Sequence, residues 1–337
     1  MKVISRRSLL TMLTASAVVL GTRMSLASAA EEKAPPATSG SRIRAVTRDA
    51  RGVTIEMELS HAPFPAPGAA YKDATVIAFV PNHFRASGDG RVSVLVHFHG
   101  HNSNAPAAMA AHQLREQLHE SKQNAILLVP QGPVQSADSS CGKLESDMGL
   151  ARLLDDALRT LASEQARMAL GTSAIRAGSQ PGTVCLSAHS GGYHAAAQCV
   201  QRGGVPVTEV YLFDALYAEE AVFRDWVLAG RGQSARSRHK LVLYTTGGTT
   251  EVESQRLLTE LGRAGVRTAV EEHEGTLSRA ELTLAEVVLI RTQLSHGAVT
   301  HELNGLRDCL YASAMPRRLR TSWFDSKNNA RPLERRR

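Results

Sequence analysis

One segment constrains this chain more than any other: Val184-Cys185-Leu186-Ser187-Ala188-His189-Ser190-Gly191-Gly192-Tyr193, followed by His194-Ala195-Ala196-Ala197. The apolar run reads as a strand, Ser-Gly-Gly as a sharp turn, and the small-residue run as a helix. A strand that enters a helix so abruptly needs small residues two before and two after the turn residue. Ala188 and Gly192 hold those places. Such a turn carries the Ser190 hydroxyl beyond the sheet edge, to a helix N-terminus where backbone N–H groups favour developing negative charge. The same residues also suit an ordinary strand-to-helix turn with a capping serine, so the rest of the chain has to decide.

The chain on either side alternates. Residues 42–49 and 53–59 read as a hairpin across Ala50-Arg51-Gly52. Strands are expected at 75–80, 92–98, 125–129, 209–213, 240–245 and 287–292. Helices are expected at 105–121, 149–162, 219–228, 252–262 and 301–311. Leu150, Leu153, Leu154, Ala157, Leu158 and Leu161 recur at helical spacing. Short apolar strands alternating with helices mean an α/β fold: a mostly parallel sheet covered on both faces, here entered through an antiparallel hairpin. Active sites of such sheets gather at the carboxyl ends of the strands.

The first thirty residues stand apart from that pattern. Lys2, Arg6 and Arg7 precede an apolar stretch at 9–20, and Ala27-Ser28-Ala29-Ala30 offers a cleavage point. Ser5-Arg6-Arg7-Ser8-Leu9-Leu10 resembles a twin-arginine export signal, which implies the twin-arginine machinery as a partner and a periplasmic or secreted address. The apolar run is short and rich in Ser, Thr and Ala, so no stable membrane span is expected. Residues 31–41 read as a linker, 42–316 as one domain and 317–337 as a basic tail.

The net charge of +7 is a property of the ends. The leader carries +4 and residues 317–337 carry +6, leaving the body at −3. No nucleic-acid groove follows from that distribution. The four cysteines, Cys141, Cys185, Cys199 and Cys309, show no metal-binding spacing. Cys185 and Cys199 come to similar height below Ser190. They are expected as buried thiols, with a disulfide as the alternative. No cofactor is called for.

Three strand ends carry chemistry. Val94-Leu95-Val96-His97-Phe98-His99-Gly100-His101-Asn102 ends in a loop able to offer a backbone N–H to an oxyanion. The candidate donors are His101, with Asn102 in reserve, and Gly191. Asp214 closes the strand after the Ser190 helix, where a carboxylate can orient an imidazole. The alternative for it is a helix N-cap. His296 follows the last strand and completes the order Ser, Asp, His. His301, at the expected start of the final helix, is the reserve base, and Glu251 and then Glu253 are reserve acids. Asp138, Lys143 and Glu145 lie on the loop after the 125–129 strand and are read as a charged substrate rim or, equally, as a solvated surface loop.

Across roughly residues 75–312 the chain resembles serine hydrolases of the α/β-hydrolase superfamily, and within it a group of secreted bacterial members. The stretches that carry the likeness are His97-Phe98-His99-Gly100, Val129-Pro130-Gln131-Gly132-Pro133, residues 138–145, Ser190-Gly191-Gly192-Tyr193 and Phe213-Asp214-Ala215-Leu216-Tyr217. The resemblance implies a Ser190–Asp214–His296 triad and an acyl-enzyme reaction on a small-molecule or polymer-derived acyl substrate. It implies no substrate identity. The departures are Ala188 in place of glycine and an acid one strand early. The strand after it ends Tyr244-Thr245-Thr246-Gly247-Gly248 with no aspartate. A carboxylic ester hydrolase is the first expectation and an amidase or peptidase with the same triad the second. Rivals of other kinds are a zinc hydrolase using His97, His99 and His101, which alternate along one strand, and a non-catalytic binding protein on the same scaffold.

Overall fold

The computed structural model describes residues 40–136, 140–234 and 237–319. The leader, most of the linker, Asp138 and the tail beyond Leu319 lie outside the described residues. Ten strands join in one sheet: β1 Arg42–Arg48, β2 Gly52–Glu58, β3 Thr75–Pro81, β4 Arg91–Phe98, β5 Ala125–Pro130, β6 Gln180–His189, β7 Val207–Phe213, β8 Lys240–Thr245, β9 Thr268–Glu271 and β10 Val287–Arg291. Their order is β1-β2-β3-β5-β4-β6-β7-β8-β10-β9. The pairs β1·β2, β2·β3 and β3·β5 are antiparallel. Every other pair is parallel.

Strand alternation builds two cores. Val94, Val96, Leu186 and Ala188 face one layer, while Leu95, Cys185, Tyr211 and Phe213 face the other. Helices α3 (Gly149–Leu161), α4 (Glu164–Leu170), α5 (Tyr193–Arg202), α6 (Glu220–Ala229) and α7 (Gly248–Arg263) pack on the first face. On the second lie α1 (Ala105–Ala111), α2 (Leu114–Ser121), α8 (Arg279–Leu284) and α9 (Gly305–Tyr311). Both faces are therefore buried, which is why the central strands are apolar throughout rather than alternating.

After β4 the chain moves one way to β5, and after β6 it moves the other way to β7. The loops leaving β4 and β6 part at that reversal and leave a crevice at the strands' carboxyl ends. An antiparallel start, this reversal, and a strand–serine–helix turn leaving β6 together are the α/β-hydrolase fold.

The helix expected over 105–121 is two helices, broken where Gln113 takes φ 50°. The Gln117 side chain donates to the His112 carbonyl at 2.8 Å and holds the break, turning His112 into the interior. The last helix begins at Gly305, not His301, because Asn304 is left-handed at its cap (φ 57°). Strand β9 and helices α4 and α8 lie outside the expected elements: β9 has four residues of mixed burial at the sheet edge, and the two helices are only seven and six residues long. Among the described residues no helix is long and apolar enough to cross a membrane.

Candidate active site

Ser190 takes φ 51°, a left-handed conformation that a non-glycine residue adopts at a cost of about 1–3 kcal/mol. The sharpness of the turn brings α5 hard against the end of β4. A Cβ on Gly192 would stand 2.6 Å from the Phe98 carbonyl oxygen, and Ala188 is fully buried. The loop after β4 is pressed on the serine itself. A Cβ on Gly100 would lie 2.7 Å from Ser190 Cβ and 3.0 Å from the His189 carbonyl. Gly191 sits in the turn Ser190–Gly192, where N–H groups have no earlier carbonyl of the helix to bind. His101 follows Gly100 and is exposed. Asn102 is removed as a reserve donor, since its N–H is already given to the Val134 carbonyl at 2.6 Å.

Asp214 leaves β7 with φ 47° and is not a helix cap, as α6 starts only at Glu220. Its Oδ2 accepts from His296 Nδ1 at 2.6 Å and from Thr246 Oγ1 at 2.5 Å. Its Oδ1 accepts from the Thr246 N–H at 3.2 Å and from the Thr250 hydroxyl. Burial alone would raise the carboxyl's pKa. The bonds from His296, Thr246 and Thr250 outweigh it and bring the group down to about 2. Asp214 is thus a carboxylate at neutral pH, with His296 Nδ1 aimed at it. The Ser190 hydroxyl meets Tyr217, whose phenol is pushed up by burial and by the Asp214 charge. Among the described residues no hydrogen bond joins Ser190 to His296, whose Nδ1 is engaged by Asp214.

The reserve residues lie elsewhere. Glu251 Oε1 accepts from Arg291 Nε at 2.9 Å, and Glu253 pairs with Arg256 at 2.7 Å. Neither acid meets a histidine, because Arg291, at the end of β10, draws Glu251 toward its own strand. His301 lies in the turn before Asn304, near His112 and His189. The charged rim is taken up by the fold: Lys143 Nζ donates to the Ser60 carbonyl at 2.8 Å. Glu145 Oε1 accepts from the N–H groups of Cys141 and Gly142 at 2.8 and 3.2 Å, closing its own loop.

His97, His99 and His101 do not bring their ring nitrogens together as a zinc site. β4 ends at Phe98, so the three residues do not share one strand face. His97 Nδ1 meets Ser187 Oγ at 2.9 Å and its Nε2 meets His112 Nδ1 at 3.2 Å. His99 Nε2 accepts from the Gly132 N–H at 3.0 Å, and its Nδ1 donates to the Gly100 carbonyl at 2.9 Å. Among the described residues the group whose donor atoms come together is Cys141, Glu145 and His194, within 4.8 Å of one another. His194 Nδ1 is there bonded to Glu219 Oε1 at 2.5 Å. The four cysteines are buried thiols, and Cys185 and Cys199 are not joined.

Reasoning from sequence missed His112, His189, Thr246, Thr250 and Tyr217. The strand-end rule that found Asp214 applies equally to Thr246 and Thr250, which follow β8. An apolar cavity of about 20 Å³, lined by Pro63, Phe98, His99, Gly132, Cys141 and Ala195, adjoins the β4 loop.

No family model matches the chain, and no curated protein matches it in sequence. Among solved structures it is similar to the feruloyl esterase module of Clostridium thermocellum, at 10% identity and TM-score 0.47, over 83% of this chain and 95% of that one. It is also similar to an S-formylglutathione hydrolase from Agrobacterium tumefaciens, at 9% identity and TM-score 0.43, over 79% and 96%. A third is carboxyl esterase 2 from the fungus Tuber melanosporum, at 11% identity and TM-score 0.40, over 79% and 82%. The fold and the site stand on this chain's own topology and contacts, not on these likenesses.

Proposed function

We propose that this chain is a serine hydrolase that cleaves carboxylic esters through an acyl-enzyme. The observation that carries the reading is the 2.6 Å contact between Asp214 Oδ2 and His296 Nδ1, at the sheet edge that also presents Ser190 on its strained turn. A carboxylate at Nδ1 keeps the imidazole proton there and leaves Nε2 as a base. Nε2 takes the Ser190 proton as Oγ attacks the ester carbonyl. The carbonyl oxygen, now negative, is met by the N–H groups of Gly191 and His101. His296 then gives its proton to the departing alkoxide, and water repeats the sequence on the acyl-serine.

Export belongs to the same proposal and rests on the sequence: Ser5-Arg6-Arg7 ahead of a weakly apolar run implies passage through the twin-arginine route to the periplasm or beyond.

The test is titration of the purified chain with a fluorophosphonate, alongside turnover of a panel of p-nitrophenyl esters and aminoacyl amides. Labelling at Ser190, lost in Ser190→Ala together with ester turnover, is the expected result. Removing a serine nucleophile costs several orders of magnitude. Amides turned over faster than esters would make the chain an amidase. Absence of both labelling and turnover in the folded protein would leave a binding protein on a hydrolase scaffold.

A further inference from the structure

His296 is held at two points, and only one of them is the carboxylate. The residue sits on the irregular loop after β10, and its side chain is 43% exposed. Asp214 restrains the ring through Nδ1. The backbone of the same residue is restrained from inside the protein. His189 Nε2 lies 2.8 Å from the His296 carbonyl oxygen. A carbonyl only accepts, so His189 carries its proton on Nε2 and donates it. The two rings pack with centroids 4.6 Å apart, tilted at 40°.

His189 is in turn backed by a row of imidazoles. His112 meets it edge-on at 4.6 Å, and His97 meets His112 at 5.3 Å and 86°. His97 ends the row on the Ser187 hydroxyl. Burial lowers the pKa of His189 to about 4 and of His112 to about 3, and drives His97 well down, so the row is uncharged at neutral pH. The Gly100 loop also packs close to His189. A Cβ there would come within 3.3 Å of its Nδ1.

We propose that His189, the residue before the nucleophile, is a positioning residue that fixes the height and azimuth of His296 through the base's own carbonyl. This rests on the Ser190–His296–Asp214 reading. The geometry has a reason. Asp214 leaves the imidazole free to swing about its Nδ1–carboxylate axis, and the loop's other anchors, the Thr292 N–H on the Thr245 carbonyl and the Thr300 carbonyl on the Gln117 amide, lie four residues to either side of the base. A donor one residue from Ser190 ties the base loop to the nucleophile's own strand, so the two move together. A misplacement of about 1 Å between reacting groups costs up to about a hundredfold in rate.

The test compares His189→Leu, His189→Gln and His189→Asn in the full chain. Glutamine places an amide N–H at the reach of Nε2. Asparagine is as polar but too short to reach the His296 carbonyl. The expected result is that Leu and Asn lower kcat by about ten- to a hundredfold with KM within about twofold, while Gln returns kcat to within about threefold of the parent. The rate of Ser190 labelling by fluorophosphonate should fall and recover in the same order. Equal behaviour of Gln and Asn, or parental kcat in Asn, overturns the proposal even where Leu fails to fold. If the parent chain itself does not label at Ser190, the underlying triad reading falls first.

Discussion

Replacing Asp214 by asparagine removes a charge and adds two protons at a carboxylate that accepts four hydrogen bonds. The outcome follows from which donors can move. The Thr246 N–H is backbone and cannot turn away, so the amide oxygen takes the Oδ1 place opposite it. The amide nitrogen then takes the Oδ2 place, facing Thr246 Oγ1 and His296 Nδ1. The threonine hydroxyl rotates and accepts. The imidazole must offer a lone pair at Nδ1, which moves its proton to Nε2 and points a donor, not a base, at Ser190. In serine triads that exchange of tautomer costs about four orders of magnitude in kcat.

The same substitution removes a pH-dependent share of stability. The Asp214 carboxyl is held at about 2 against an ordinary 3.8. At about 1.4 kcal/mol per pKa unit this is about 2 kcal/mol. Because the folded pKa is the lower one, that contribution is complete above pH about 4 and is lost as pH falls toward about 2. The assay is p-nitrophenyl acetate turnover at neutral pH, with thermal unfolding of parent and variant followed down through that window. Activity of the folded variant within about tenfold of the parent would refute the argument.

Three further outcomes are expected. Gly100→Ala sets a Cβ 2.7 Å from Ser190 Cβ and 3.0 Å from backbone, so kcat should drop by about a hundredfold; an unchanged rate would separate this loop from the chemistry. Glu251→Gln loosens a half-exposed pair with Arg291 worth about 0–1 kcal/mol and should leave turnover within about twofold, whereas a large loss in the folded variant would return the acid role to Glu251. Arg6→Lys with Arg7→Lys should strand precursor inside the cell by immunoblot of fractions; normal export would point to the general secretory route.

What could be read in the sequence were the periods and the strand ends. Apolar runs of five to eight residues separated by helical spacing are local signals, and so are residues such as Ser190, Asp214 and His296 that follow them. The break at Gln113 was illegible because residues 105–121 keep helical composition across it; only the pull of a carbonyl contact from Gln117 shows where the chain turns. The row His97–His112–His189 joins residues 15 and 77 apart, and nothing at any one of them announces the others. Glu251 stands as a reserve strand-end acid in the sequence because nothing there places Arg291 beside it as a competing cation. Lys143 and Glu145 read equally as a substrate rim or a solvated loop, because the Ser60 carbonyl and the Cys141 and Gly142 N–H groups that hold them are backbone groups, which every sequence contains.

The four thiols have a consequence of another kind. Cys141 and Cys199 are sealed in the layer packed with α3 to α7, and Cys185 and Cys309 in the layer packed with α1, α2, α8 and α9. Each side of the sheet therefore carries its own pair of chemical clocks. A thiol reagent can reach a pair only while that side is open, so the rates at which the two pairs are consumed record how often each layer lifts from the sheet. Equal rates would mean that the domain opens as one unit. Unequal rates would name the layer that yields first, and would do so without introducing any label, since the chain already carries two on either face.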